Sequence, residues 1–354
     1  MNRPFFLLLL LLLTVTQVGA KTRKAVYVVI DGVAADHIER LKPPTIFSVS
    51  QKGHYSRAWC GGEVGTYSET PTISAIGYAN LVTGTWMNKH NVKGNSNMEP
   101  NFNYWNLFRV AKEQKGHEVK TAIFSSWTDN RLYLLGEGLP QNNHLKIDYI
   151  FDGYDRDKKN FPKRPERLEI YAYDSVVCKR AAECIRRDAP DFSWVYLWYT
   201  DAAYHAHGNG TFTDEYVLKE DEAIGKIWEA VQYREKNFDE EWLFIVTTDH
   251  GRNEDGRGHG KQNSYAREVW FSTNLKKVNQ LFQPATLSHV DLAPTVCRWM
   301  NWQLPRDVQF EQDGSPFCGK IDLYDLKCPT YNKTVTLKWK HFGSREIATV
   351  YLAT

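Results

Sequence analysis

Long apolar segments are scarce in this sequence of 354 residues. The longest run, FFLLLLLLLTV at positions 5–15, is shorter than the about 20 residues that a membrane-spanning helix requires. It follows a basic residue and precedes the compact triplet VGA (18–20), which is the order of a secretory signal peptide. We therefore predict a signal peptide over 1–20, no membrane span, and a secreted chain (periplasmic in a bacterium) that starts near Lys21.

The sequence also lacks basic blocks, internal repeats, low-complexity tracts and linkers rich in Pro or Ser. Its 44 basic and 42 acidic residues give a net charge of +2, so no nucleic-acid-binding surface is indicated. An apolar fraction of 42%, with 12 Trp, 19 Tyr and 17 Phe, is enough for a sizeable core. We predict a single folded domain over 21–354, and no pattern specifies an oligomeric state.

Cysteine is sparse, with six residues, yet an even number in an exported chain indicates disulfide bonds. Cys318 and Cys328 are the favoured pair because they bracket a turn-rich segment. An unbroken helix would hold Cys178 and Cys184 about 9 Å apart, which is too far for a disulfide bond. In a eukaryotic source two sequons would accept glycans, those that begin at Asn209 and Asn332.

The remaining sequence alternates short apolar, β-branched runs with longer amphipathic stretches. Five runs are typical of buried strands: 24–30, 120–124, 192–199, 241–248 and 268–272. This alternation predicts an α/β fold with helices packed on both faces of a mostly parallel sheet. Active sites in such sheets lie beyond the carboxyl ends of the strands.

Polar residues follow three of these strands directly. Each strand ends in an Asp, and two of them are also followed by His: Asp31; Asp201 and His205; Asp249, His250 and His259. Asp201 and His205 stand at i, i+4, which places both on one face of a helical turn. Asp31 by itself could equally be a helix N-cap. Because all three clusters fall at strand ends, we predict a metal site, and carboxylates and imidazoles without thiolates suit zinc best.

A nucleophile is expected in the segment TPTISAIGYANLVTGTW (70–86). Five hydroxyls are available there: Thr70, Thr72, Ser74, Thr83 and Thr85. A Ser or Thr hydroxyl is weakly nucleophilic unless its pKa is lowered, and metal coordination lowers it. The alternative interpretation is a turn followed by a helix with ordinary capping hydroxyls.

Four motifs occur in this order along most of the chain: VIDG, S-x-x-G-Y-x-N-L-V-T-G, D-x-x-x-H and T-T-D-H-G. The set resembles the alkaline phosphatase superfamily, above all its type I phosphodiesterase/nucleotide pyrophosphatase branch and the related phosphate-irrepressible alkaline phosphatases. The resemblance implies an alkaline-phosphatase-like α/β fold and a hydrolase of small phosphate esters. It also implies two divalent metal ions, expected to be zinc, and a phospho-enzyme intermediate.

The resemblance also implies a role for each site residue. It assigns two sets of metal ligands: Asp31, Asp249 and His250 with the bridging nucleophile, and Asp201, His205 and His259. In this branch the nucleophile lies nine residues before the Thr of the V-T-G triplet, which selects Ser74 over Thr72. Asn95 matches the phosphate-binding Asn of the monoesterase-like relatives.

The sequence departs from those relatives where they carry a Lys-x-Arg pair that clamps the phosphate. Thr128 and Asn130 stand at these positions, and Arg131 is off by one. A missing clamp weakens recognition of a dianionic monoester more than that of a monoanionic diester, so both ester classes stay open.

Three other functions are compatible with parts of the pattern. A sulfatase needs Pro and Arg after its nucleophile, and neither follows Ser74. A phosphoethanolamine-type transferase usually carries membrane spans. A non-catalytic binding protein would be expected to have lost a ligand.

Overall fold

The computed structural model describes residues 21–114, 118–332, 334–343 and 349–350. The predicted signal peptide over 1–20 lies outside the described residues. Among the helices of the described ranges, none combines the length and the apolarity that crossing a bilayer requires.

A seven-stranded sheet forms the centre of the molecule. Its strands are β1 (Thr22–Ile30), β2 (His54–Trp59), β3 (Thr121–Ser125), β4 (Tyr149–Phe151), β5 (Phe192–Leu197), β6 (Glu240–Thr247) and β7 (Glu268–Thr273). Their order across the sheet is β2-β7-β6-β1-β5-β3-β4. Strands β6, β1, β5, β3 and β4 are parallel, whereas β7 runs antiparallel to both of its neighbours. The mostly parallel sheet predicted from the sequence is confirmed.

The predicted strands are all present, and their bounds differ from the prediction by one or two residues at an end. The apolar run 192–199 leaves the sheet at Leu197, because the backbone N–H groups of Trp198 and Tyr199 donate to the buried carboxylate of Asp174 at 2.9 and 2.6 Å. This carboxylate turns the chain out of the strand and into a helix. The edge strand β2 was not predicted, since its half-exposed sequence HYSRAW has no buried apolar run.

Helices cover both faces of the sheet. They are α1 (Ala35–Leu41), α2 (Pro44–Lys52), α3 (Ser74–Thr83), α4 (Met87–His90), α5 (Leu107–Lys112), α6 (Leu168–Arg187), α7 (Tyr199–His207), α8 (Thr211–Asn237), α9 (Ser264–Arg267), α10 (Leu292–Trp299) and α11 (Arg306–Glu311). Short 3-10 turns span Pro140–Asn142, Pro165–Arg167 and His289–Asp291, and a π-helical turn spans Asn130–Leu134. Alternate residues of β1 pack in two separate cores, one with α3, α5 and α10, the other with α1, α2, α6 and α8. Because side chains alternate between the two faces of a strand, both faces of β1 are buried.

The C-terminal part of the described chain adds two small antiparallel pairs. Strand β8 (Leu323–Lys327) pairs with β11 (Lys338–His341), and β9 (Thr330–Tyr331) pairs with β10 (Thr334–Val335).

The expected disulfide bonds are not formed in this structure, where all six cysteines are free thiols. The thiol of Cys318 is buried and points inward, with Sγ 3.8 Å from the carbonyl oxygen of Thr295, whereas Cys328 is only partly buried just after β8. Cys178 and Cys184 both lie in the unbroken helix α6. Their spacing along this helix keeps them too far apart to form a disulfide bond with each other. The expected Cys318–Cys328 pair is therefore absent because the Cys318 side chain belongs to the core.

Candidate active site

Three parallel neighbours, β6, β1 and β5, end at the same edge of the sheet and deliver the predicted polar residues there. Asp31 follows β1, Asp249 and His250 follow β6, and Asp201 lies in the first turn of α7 after β5. Helix α3 begins at this edge with Ser74. Residues that are more than 200 positions apart in the sequence thus meet because parallel strands share one carboxyl edge.

The first cluster surrounds the Nε2 atom of His250. This atom lies 3.2 Å from Ser74 Oγ, 3.4 Å from Asp31 Oδ1 and 3.3 Å from Asp249 Oδ2. The Nδ1 atom of the same ring donates to the carbonyl oxygen of Gly251 at 2.9 Å. That bond fixes the tautomer and leaves Nε2 free to act as a ligand.

Each carboxylate of this cluster has one oxygen that accepts hydrogen bonds from the protein and one that has no hydrogen-bond partner. Asp31 Oδ2 accepts from the hydroxyls of Tyr78 and Tyr196, the latter at 2.6 Å, and Asp249 Oδ1 accepts from the Gly32 N–H at 2.9 Å. Asp31 Oδ1 and Asp249 Oδ2 are fully buried and have no hydrogen-bond partner. Because an unpaired buried carboxylate oxygen is costly, this arrangement fits a bound cation.

The charges of the cluster are strongly coupled. Burial and the Asp31 carboxylate raise the pKa of Asp249 to about 8. Burial alone would lower the pKa of His250, but the carboxylates of Asp249 and Asp31 raise it to about 9. The negative charge concentrated here is the charge that a divalent cation would compensate.

The second cluster lies beside the first and contains Asp201, His205 and His259. Asp201 Oδ1 is 3.3 Å from His205 Nε2 and 3.7 Å from His259 Nε2, and the two Nε2 atoms are 3.2 Å apart. The rings of His250 and His259 stack with their centroids 3.8 Å apart. Within the described part of the chain, geometry alone singles out two groups able to hold a metal ion: Asp31, Asp249 and His250; and Asp201, His250 and His259.

Thr72, the alternative nucleophile, is occupied by contacts that hold His259 in place. The Nδ1 atom of His259 donates to the Thr72 carbonyl oxygen at 2.8 Å. The Thr72 hydroxyl donates to the Lys261 carbonyl at 2.9 Å and accepts from the Gly260 N–H at 2.8 Å. Burial and the neighbouring His250 lower the pKa of His259 to about 4, so the ring is neutral near pH 7, the form that binds metals.

Ser74 and Asn95 meet at the beginning of α3. Asn95 Oδ1 accepts a 2.9 Å hydrogen bond from the backbone N–H of Ala75. Asn95 itself is exposed, so the NH2 group of its side-chain amide is available to a ligand. The Ala75 amide is thus used to orient Asn95.

Among the described residues, no unpaired cation lies in the region where the relatives carry the Lys-x-Arg clamp. The hydroxyl of Thr128 donates to Asp155, and Asn130 Nδ2 donates to Ser125 Oγ at 3.2 Å. Arg131 is bound to Asp152 and Glu137, each at 2.6 Å. The possible substitute for the clamp is thus committed to two structural ion pairs.

Three residues of the site were not predicted from the sequence: Tyr78, Tyr196 and Arg252. Arg252 is buried and donates to Asp201 Oδ1 at 2.7 Å. Although burial opposes it, the Arg252 guanidinium holds the pKa of Asp201 well below the usual range. A signal existed for two of them, since Tyr78 lies inside the S-x-x-G-Y motif and Arg252 directly follows D-H-G.

Comparison with known proteins places these observations in context. The family model described as type I phosphodiesterase / nucleotide pyrophosphatase matches residues 25–312. No curated protein shows a match to this sequence.

Solved structures with the same fold include three distant ones. A 2-O GAG sulfatase has a TM-score of 0.58 and 12% identity, covering 88% of this chain and 79% of that one. A protein solved with its substrate D-glucosamine-2-N,6-O-disulfate has a TM-score of 0.56 and 10% identity, covering 90% and 86%. Murine ectonucleotide pyrophosphatase/phosphodiesterase 5 has a TM-score of 0.53 and 12% identity, covering 80% and 96%. Likeness at these identities shows the fold.

Proposed function

Because the chain belongs to the type I phosphodiesterase/nucleotide pyrophosphatase family, a family of hydrolases, we propose that it cleaves phosphodiesters through a Ser74 nucleophile in a site that holds two divalent metal ions. The family and the alkaline-phosphatase-like fold predicted from the motifs are both confirmed. One observation carries the proposal: Ser74 Oγ lies 3.2 Å from His250 Nε2, and the same Nε2 atom lies beside two buried carboxylate oxygens that have no hydrogen-bond partner.

The residues present fit the implied metal ions. Asp31, Asp249 and His250 would hold the first, and Asp201, His205 and His259 the second. Three carboxylates and three imidazoles, without thiolates, favour zinc. When bound, such ions lower the pKa of a coordinated hydroxyl and stabilise charge on the entering and leaving oxygens.

Ser74 performs the first step of the proposed reaction. Its Oγ attacks phosphorus in line with the leaving oxygen, so an O–P bond to Ser74 forms as the bond to the leaving group breaks. The hydroxyl proton of Ser74 passes to the leaving oxygen, which departs as an alcohol. Water then attacks phosphorus on the side opposite Ser74, the Ser74–phosphorus bond breaks, and one proton of the water passes to Oγ.

The beginning of α3 orients the substrate in this scheme. Asn95 Nδ2 would donate to a non-bridging oxygen, while Asn95 Oδ1 stays bound to the Ala75 N–H. Ser74 is the first residue of the helix, where the helix dipole favours a negatively charged group. The protein thus positions the anion before the reaction begins.

The contacts of Arg131 favour a diester over a monoester. A monoester is a dianion near neutral pH, and its second charge requires a cation that a diester does not need. Arg131 is neutralised by Asp152 and Glu137, and Thr128 and Asn130 are uncharged. The monoester is therefore the disfavoured substrate class.

The experiment uses the full chain expressed in a secretory host. The secreted protein should begin near Lys21, carry a glycan at the exposed Asn209 in a eukaryotic host, and contain about two zinc ions per chain by elemental analysis. It should hydrolyse bis-p-nitrophenyl phosphate at least 10-fold faster than p-nitrophenyl phosphate. Treatment with a chelator should abolish turnover, and added zinc should restore it.

Two variants test the nucleophile directly. Ser74→Ala should lose at least 10³-fold in kcat, consistent with loss of a covalent nucleophile, while it keeps most of its zinc. Thr72→Ser should stay active, because its hydroxyl can make the same two hydrogen bonds. Metal-free wild-type protein, or full activity in Ser74→Ala, would contradict the proposal and favour a non-catalytic binding protein.

Sulfate esters serve as the counter-test. Ser74 is followed by Ala75, Ile76 and Gly77, which lack the Pro and Arg that direct conversion to formylglycine. Hydrolysis of p-nitrophenyl sulfate above that of the diester would overturn the assignment of the substrate class.

A further inference from the structure

Arg252 is a buried cation at the centre of the site, and the proposed reaction does not use it. Its side chain is only 2% exposed. Nη2 donates to Asp201 Oδ1 at 2.7 Å, Nε donates to the Gly32 carbonyl oxygen at 2.7 Å, and Nη1 donates to the Arg257 carbonyl oxygen at 3.3 Å. Each of these acceptors lies on a different segment of the chain.

The three segments are those that carry the proposed metal ligands. Gly32 follows Asp31 in the loop after β1, Asp201 lies in the first turn of α7, and Arg257 lies in the loop that leads to His259. We propose that Arg252 is the positioning residue of the second metal site: it orients the Asp201 carboxylate, and it joins the three ligand-bearing segments before a metal ion binds. This inference rests on the proposed function.

The packing around the guanidinium shows that its place is tightly defined. A β-carbon at position 32 would lie 1.9 Å from Arg252 Nη2 and 2.6 Å from Cζ. Only a glycine can therefore lie beneath the guanidinium. The guanidinium also lies over the ring of Tyr204 on α7, whose centroid is 4.7 Å from Cζ. Packed against both residues, the planar group keeps all three hydrogen bonds at once.

The chemistry requires Arg rather than any cation. The guanidinium is planar, stays charged and donates in several fixed directions, whereas the ammonium of Lys is a compact point charge. Lys would preserve the charge beside Asp201 but could not reach three acceptors on three segments. A neutral side chain would leave the buried Asp201 without its principal partner.

Zinc binding tests this role without relying on turnover. Zn²⁺ alone is titrated into the chelator-treated full chain in competition with a chromophoric chelator. His205→Ala, which removes a ligand of the second site only, identifies which of the two affinities belongs to that site. Arg252→Met should weaken zinc binding at the second site by about 10–100-fold, the range for a partner of a metal ligand, and should weaken it less at the first site. Arg252→Lys should recover part of the loss.

A matched control is Arg267→Met. Arg267 donates to the carbonyl oxygens of Cys60 and Gly62 and contacts no proposed ligand, so both zinc affinities should stay unchanged. If near-UV circular dichroism shows that Arg252→Met does not fold, Arg252→Lys decides, with a loss of at least several-fold expected at the second site and a smaller loss at the first.

Two outcomes would overturn the inference, and they are distinguishable from failure of the proposed function. Unchanged binding at the second site in the Arg252 variants would show that Arg252 does not position Asp201. Tighter binding there would show that its charge repels the metal ion. A wild-type protein that binds no zinc would overturn the proposed function itself.

Discussion

Gly77 on α3 packs directly against the backbone of Asp249: a β-carbon at position 77 would lie 2.5 Å from the Asp249 carbonyl oxygen. Ser74 lies one turn earlier on the same helix, so this contact sets the distance between the proposed nucleophile and the loop that carries Asp249 and His250. The lack of a side chain at one position therefore defines the geometry of the site.

Gly77→Ala should displace α3 from this loop. A misplacement of about 1 Å can cost about 100-fold in rate, and we expect a loss of that size in kcat. Gly225→Ala, in the interior of α8, is the control, since its added methyl group would meet only the Thr45 hydroxyl. Steady-state kinetics on the diester would measure the loss in kcat of each variant. Full activity in Gly77→Ala would contradict the importance of the contact between Gly77 and Asp249.

The amide of Asn95 is predicted to bind substrate through Nδ2 only. Asn95→Ala should lower kcat/KM by about 10–100-fold, the value of one hydrogen bond to a charged group. Asn95→Asp keeps the acceptor for Ala75 but adds a negative charge beside the phosphate, so its loss should be larger. Lys93→Ala, at an exposed position nearby, should have little effect. Equal losses in the two Asn95 variants would argue against contact with the substrate.

The two hydroxyls on Asp31 are predicted to support metal binding. Tyr196→Phe removes one donor from Asp31 Oδ2, and we expect zinc affinity at the first site to fall about 10-fold. Tyr27→Phe is a matched control, because the Tyr27 hydroxyl is buried without a hydrogen-bond partner and its loss should cost no stability. Zinc titration of the variants measures both effects, and unchanged affinity in Tyr196→Phe would refute the prediction.

Asp291 should make folding depend on pH. Burial raises its pKa to about 7, above the about 3.9 of an unfolded chain, so the folded state binds this proton more tightly. The stabilisation from this proton is fully present below about pH 4 and is lost as the pH rises to about 7. The free energy of unfolding falls over this range by at most on the order of 4 kcal/mol. Asp291→Asn should remove this decline.

The measurement is urea unfolding of the metal-free protein between pH 4 and pH 7, which keeps metal dissociation out of the comparison. The free energy of unfolding of the wild type should fall relative to that of Asp291→Asn as the pH rises. Asp307→Asn, at an exposed position, should follow the wild type. Parallel curves for the wild type and Asp291→Asn would show that Asp291 keeps its ordinary pKa.

Much of the architecture could be predicted because strand burial is a local property. A run such as 24–30 is apolar at every position because both of its faces are covered, and such a run is recognisable without knowledge of its neighbours. The carboxyl ends of these runs then indicated where Asp31, Asp201 and Asp249 would be. The antiparallel direction of β7 was not predictable, since a single strand carries no signal for the direction of its partner.

The cysteines illustrate the opposite case. An even count and a turn-rich spacing suggested a bond between Cys318 and Cys328, but whether two thiols meet depends on the directions in which their side chains point. In the fold, Cys318 faces the core beside Thr295.

The alternation of buried strands and amphipathic helices, and the identity of the residues that follow the strands, were predictable because periodicity and residue chemistry are local properties of the chain. The groups that hold those residues in place depend instead on the packing of distant segments. Tyr78 and Tyr196 meet at Asp31, and Arg252 lies between Gly32, Asp201 and the loop before His259. These contacts join positions up to 220 residues apart, and hydrogen bonds over such separations depend on strand order and helix packing rather than on any local pattern.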